Sequence, residues 1–199
     1  MTAAKFSFDS HIKQCDDAIS IYHFLSSKGY AAEFGLRFVW VAAVSALDHY
    51  ITELIVEKAT QAFSSSATLT KKLLNETVPF ATAMTLYGSN PVDATVYFHS
   101  AITLRLKYRT FQKADDVADG LAYIWENEHK WAAISGELGL LPKAAKRKLN
   151  TIVFRRDTIV HNADYDSSSG TLLPCSDSDA AEVVSYIRQI TAAIDKLVP

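Results

Sequence analysis

Apolar residues recur at steps of three and four along most of this chain, the spacing that lines one face of an α-helix. The pattern is longest from Ala32 to Ala62, where Phe34, Phe38, Val41, Val44, Leu47, Ile51, Leu54 and Ile55 alternate with charges at Glu33, Arg37, Asp48, Glu53 and Glu57. This predicts a long and largely buried helix. A second amphipathic stretch, Asp9 to Ser27, precedes it and breaks at the Ser-Ser-Lys-Gly of residues 26 to 29, a helix-to-helix connection. Further on, the SSSAT at 64 to 68 reads as a polar loop leading to a short helix through Leu74. GSNP at 88 to 91 launches a helix from Pro91 to Phe111, with proline at its first position. Asp115 or Asp116 is the expected N-cap for Val117 to Trp125, and another segment runs from His129 to Leu138. The next helix begins at Pro142 and continues to His161, with Asn162 as its stop signal. Residues 163 to 176 mix Asp, Ser, Gly and Pro and read as a surface loop, after which Asp177 or Ser178 caps a last helix through Leu197. No segment repeats and none shows sustained alternation, so the expected fold class is all-α, a multi-helix bundle of antiparallel neighbours.

Composition sharpens this picture. A chain of 199 residues fits one domain of ordinary size, and 49% hydrophobic against 21% charged residues suits a packed, helix-rich protein rather than a disordered one. The least interrupted apolar run, Phe38 to Leu47, is about half of the roughly 20 residues a membrane span needs, so no membrane association is expected. The N-terminal MTAAKFSFDSHIKQCDD is polar where a secretion signal would be apolar, which points to the cytoplasm. Cys15 and Cys175 are far apart and lack the spacing of a disulfide framework or zinc site, so both read as structural or incidental thiols.

The chemistry-bearing stretch is FRRDTIVHNADYD, residues 154 to 166. On a helix, Asp157 and His161 are four residues apart and share a face, where the carboxylate is expected to orient the imidazole and favour its protonated form. Arg156 precedes His161 by five, about 140° around the axis, and its long side chain reaches the same rim. The carbonyl end of the helix also favours a cation there. The net charge is −2, yet Pro142 to Arg156 contains Lys143, Lys146, Arg147, Lys148, Arg155 and Arg156 and no acid. Ala101 to Lys113 is likewise acid-free, with Arg105, Lys107, Arg109 and Lys113 beside Tyr108 and Phe111. Cations interleaved with aromatics suit a single-stranded polyphosphate, and Arg155, Lys146, Arg147, Lys148 and Arg109 are the candidate RNA-binding residues. The bland alternative is solvated surface charge, with Tyr108 and Phe111 in the core and His49 a satisfied core or interface histidine. No phosphate loop, dinucleotide fingerprint, nucleophile elbow or zinc-binding histidine pair is present, and no metal or cofactor is expected.

The late RRDTIVHN resembles the signature of the HEPN superfamily, an arginine followed after four to six residues by a histidine, with a polar residue directly after the arginine. WVAAVSALDHYITELI at 40 to 55 and RTFQKADDVADGLAYIW at 109 to 125 are similar to the early and middle segments of the branch called RiboL-PSP-HEPN. DAAEVVSYIRQITAAIDKLV completes the same order. The resemblance covers most of residues 32 to 198 and leaves residues 1 to 31 as an unmatched helical extension of the single domain.

The resemblance implies a HEPN-like bundle that forms a homodimer, in which two copies of the motif build one RNA-cleaving cleft. It further implies metal-independent endoribonuclease activity in a toxin-antitoxin, phage-defence or RNA-processing setting, with an antitoxin or defence protein as a partner. Arg156 and His161 match the catalytic pair and Asp157 the polar position. In one toxin branch a modifiable tyrosine stands two positions after the histidine. Ala163 occupies that place here, and Tyr165 comes two residues later. The alternative expectation is a non-catalytic RNA-binding or protein-interaction domain of the same fold.

Overall fold

Four long helices supply the centre of the molecule. The computed structural model describes residues 1–166 and 168–199, and among them the chain runs α1 (Ala3–Ser27), α2 (Glu33–Ser64), α3 (Lys71–Leu74), α4 (Phe80–Gly88), α5 (Pro91–Leu106), α6 (Ala114–Leu121), α7 (Lys130–Glu137), α8 (Pro142–Asn162) and α9 (Asp177–Leu197). There is no strand among the described residues, only an isolated bridge between Tyr165 and Leu172. The all-α class expected from periodicity is the one observed.

The apolar stripe of α2 forms the axis of the core. Leu36, Val39, Ala43, Val44, Leu47, Tyr50, Ile51, Leu54 and Ile55 are all buried. Helix α1 folds back along it, with Phe8 edge-on to Tyr50 at 5.7 Å and Gly35 beneath the Ala18 carbonyl. Residues 1 to 31 are therefore not an appendage. Ala4, Phe8, Ile12, Cys15 and Ala18 are buried, and Asp16 on α1 pairs with Arg188 on α9. Helix α9 contributes Val183, Val184, Ile187, Ile190 and Ile194, and α8 contributes Ala145, Leu149, Ile152 and Val153. The Tyr186 hydroxyl of α9 donates to the Ala145 carbonyl of α8 at 2.6 Å, fixing the register of that pair.

By length and composition α2 is apolar enough to cross a membrane, with mean hydropathy 1.4 over its most apolar window. More than half of that window is buried against the neighbouring helices, which marks a core helix.

Several boundaries differ from the sequence reading, each for an identifiable reason. Helix α5 stops at Leu106 instead of Phe111 because Asp48 of α2 accepts the Phe111 backbone N–H and the Gln112 amide, both at 2.6 Å, drawing Phe111 under the core. The N-cap of α6 is Lys113, and the side chain of Asn150 on α8 takes the Ala114 N–H at 2.9 Å. Asp115 and Asp116 sit inside the first turn, where their charges complement the helix dipole. Ser176, one residue before the expected cap, accepts the Asp179 N–H and starts α9. Helix α4 was not anticipated, and none of its residues is buried. Phe111 is core, whereas Tyr108 is 85% exposed with Lys107 near its ring, so the expectation of a buried Tyr108 is corrected.

Candidate functional site

The end of α8 carries the motif, and its position is fixed by a buried ionic clasp. Pro142 starts the helix at a place where no N–H is needed. The helix closes at Ala163, with both Ala163 (φ 49°) and Asp164 (φ 65°) in the left-handed region. Two successive non-glycine residues there cost about 1 kcal/mol or more each, less for aspartate, so something must hold them. Asp164 does so. Its wholly buried carboxylate accepts from Arg37 Nε of α2 at 2.7 Å and from Arg155 Nη2 of α8 at 2.9 Å, both on the same oxygen. The two guanidiniums also donate to the Leu173 and Pro174 carbonyls, each at 2.9 Å. Residues 163 to 176 are largely exposed, as expected of a loop, but Asp164 at its root is an interior residue; Ser167 in that loop lies outside the described residues.

On this fixed helix end, Arg156 is mostly covered, with 15% of its side chain exposed, and its Nε is buried without a hydrogen-bond partner. Its Nη1 meets Asp157 Oδ1 at 3.3 Å. The expected pairing of Asp157 with His161 is thus replaced by one with Arg156, because the guanidinium is the stronger and nearer cation. His161 stands in the last turn of α8, exposed, beside the carbonyl end of the helix dipole.

Helical geometry aligns His161 with two further residues. Phe154 precedes it by seven positions and Arg147 precedes Phe154 by seven, so the three form one stripe along α8 to within about 20° per step. All three are exposed, Phe154 by 73%. Lys143, Arg147, Asn150, Thr151 and Phe154 line a shallow groove on this face.

The other candidate RNA-binding residues are not gathered around the motif as free cations. Arg155 belongs to the Asp164 clasp, Lys146 pairs with Asp115 at 2.7 Å, and Lys148 pairs with Glu182 at 2.6 Å over the Tyr186 ring. Arg109 donates to Glu76 at 3.0 Å and to the Tyr123 hydroxyl. Glu76 also accepts from Arg105 at 2.5 Å. Burial works against the ionised form of Glu76, yet hydrogen bonds from Tyr123 and Arg105 and the charge of Arg109 outweigh it and lower its pKa. Arg147 is the exception, with no ion-pair partner among the described residues. The sequence shows none of these partners because each acid comes from a different segment.

Both cysteines are free thiols. His49 is about half exposed and meets Glu53 at 3.1 Å, a surface pair rather than a core histidine, and His23 meets Asp177 at 2.9 Å. Among the described residues no group of three or more His, Cys, Asp or Glu is disposed to hold a metal ion.

Comparison of the chain with protein-family models, with curated proteins and with solved structures finds no match. What stands on the geometry is an all-helical protein with an arginine and a histidine on the rigidly held end of one helix.

Proposed function

We propose that this protein is an endoribonuclease acting on single-stranded RNA by attack of the substrate's own 2′-hydroxyl, with Arg156 and His161 as the reacting pair. The observation that carries this reading is the placement of both residues on the last two turns of α8, an end clamped by Asp164. RNA supplies the nucleophile, so the protein must move two protons and stabilise the phosphorane. His161 transfers the protons and Arg156 offers charge-assisted hydrogen bonds to the phosphate oxygens. Asp157 holds the Arg156 guanidinium in place. This chemistry requires no metal ion or cofactor.

One copy presents one histidine, whereas the reaction uses a base and an acid. A homodimer packed along the α8 stripe brings two copies of His161 together, with Phe154 as the apolar anchor of the contact, and the resemblance implies that Arg156, about 140° around the axis, reaches the same cleft with its long side chain. This arrangement agrees with the HEPN resemblance. The same resemblance supports the setting of a cytoplasmic toxin or phage-defence effector restrained by a partner protein. Arg147 on the stripe is the RNA contact that supports this reading best, with Arg155, Lys146, Lys148 and Arg109 acting through the fold.

A second reading, a non-catalytic protein-interaction domain, is favoured by one feature. Phe80 and Tyr87 of α4 are 81% and 89% exposed on a helix with no buried residue. Expression in cells separates the two readings. Toxicity that disappears with His161→Ala supports the nuclease, and toxicity unchanged by that substitution supports interaction through another surface.

A further inference from the structure

Residues 77 to 104, which form α4, the turn after it and most of α5, hold one charged side chain, Asp93, in a chain that is 21% charged. On α4, Phe80, Met84 and Tyr87 follow one another at steps of four and three and face solvent, while Thr82, Ala83 and Leu86 are partly covered. Helix α4 packs on α5, and none of its own residues is buried. Helix α5 adds Val92, Val96, Tyr97 and Leu104, all exposed. Large apolar side chains gathered this way on two adjacent helices mark a contact with a protein or a membrane.

The polar groups of the hairpin favour a membrane. The hydroxyls of Thr85, Ser89, Thr95, Ser100 and Thr103 each donate to the carbonyl four residues back, at 2.6–3.0 Å. At the turn, the Asn90 side chain accepts the Val92 and Asp93 N–H groups and donates to the Asp93 carboxylate at 2.8 Å. A protein contact draws on such groups for hydrogen bonds across the interface, whereas hydrocarbon offers none and admits groups already satisfied within the chain. Charge points the same way. At the open end of the hairpin, Val78, Pro79, Leu104 and Tyr108 line a hollow of about 610 Å³ whose walls also include Arg105 and Arg109. Those two guanidiniums share the single carboxylate of Glu76, which leaves one positive charge in excess. Lys107, beside the Tyr108 ring, has no ion-pair partner among the described residues. Cations bordering an uncharged apolar face complement the anionic headgroups that lie above the hydrocarbon of a bilayer.

We propose that the hairpin of α4 and α5 is a membrane-docking element that lies in the surface of an anionic phospholipid bilayer, with Phe80, Met84 and Tyr87 at the acyl boundary and Arg105 and Lys107 at the headgroup phosphates. Neither helix reaches the roughly 20 residues that a crossing needs, so the hairpin rests in the interface without spanning it. Tyr97 and Tyr108 suit that level, with an apolar ring and a polar hydroxyl on each. Asp93 is the one group on the hairpin that opposes an anionic surface, and it stands at the turn, away from the cations. All of these residues lie outside α8, so the docking surface and the reacting pair are separate.

The test is flotation of the full chain with vesicles of phosphatidylcholine and phosphatidylglycerol in equal parts. The parent protein should float with the vesicles, and more weakly with phosphatidylcholine alone. Phe80→Glu/Tyr87→Glu, at two exposed positions, should keep its helix content and lose affinity by about tenfold or more, the scale of withdrawing two aromatic side chains and adding two charges. Phe6→Glu, at an exposed position on α1, should float as the parent does. Tyr87→Trp reads insertion directly, because its added indole emission should move to shorter wavelength when vesicles are present. A parent protein that stays with the soluble fraction at millimolar lipid overturns the proposal and assigns the face to a protein partner. Flotation unchanged in the folded double variant also overturns it, as does an added indole emission that does not move.

Discussion

The carboxylate of Asp164, wholly buried, accepts a hydrogen bond from Arg155 at 2.9 Å across the turn that ends α8. Arg37 closes the same oxygen from α2, so three charges on three segments fix where His161 stands. Asp164→Ala leaves two guanidiniums largely covered and without their counter-charge, which costs about 3–5 kcal/mol. Urea denaturation should show a loss of unfolding free energy of that size. A change within about 0.5 kcal/mol, the range of a neutral surface substitution, would mean that the clasp does not hold the helix end.

The Glu76 cluster predicts how stability depends on acidity. Its folded-state pKa lies below the ordinary value of 4.5, so its contribution is fully present above that value and is lost as pH falls through the lower folded one. Glu76→Gln should therefore be less stable than the parent near neutrality and lose less stability on acidification. Urea midpoints measured on both sides of that pH check this, and parallel curves for the two proteins would refute it.

Much of the fold was legible in the periodicity of apolar residues, because α1, α2, α8 and α9 each bury one continuous face. Helix α4 was not, since its apolar residues face outward and no buried stripe marks it. The end of α5 depended on Asp48, a residue more than sixty positions away, which no local pattern contains. At the site, the arginine and histidine were visible as residue types five positions apart near the end of one helix. The role of Asp164 was hidden in a segment whose Asp, Ser and Gly content reads as solvated loop. Acid-free runs along the chain also overstated the free positive charge, because Glu76, Asp115 and Glu182 neutralise it from other segments.

Phe154 provides a test of assembly. If the α8 stripe is the contact between two copies, sedimentation of the parent protein at micromolar concentration should give twice the 22.0 kDa chain mass. Phe154→Glu, at a position 73% exposed, should leave helix content unchanged and give the single-chain mass. A parent protein that sediments as a single chain, or a variant that remains dimeric, argues against this interface.

The central claim is the reaction assigned to Arg156 and His161, and one measurement addresses it directly. Purified parent, Arg156→Ala and His161→Ala proteins are incubated with mixed-sequence single-stranded RNA in excess EDTA, and the cleaved ends are analysed. The account predicts cleavage by the parent leaving 2′,3′-cyclic phosphate ends, with a loss of at least a hundredfold in either variant, the scale of a positioned proton-transfer or charge-stabilising group. Equal cleavage by all three proteins, or none by a dimeric parent, would contradict it.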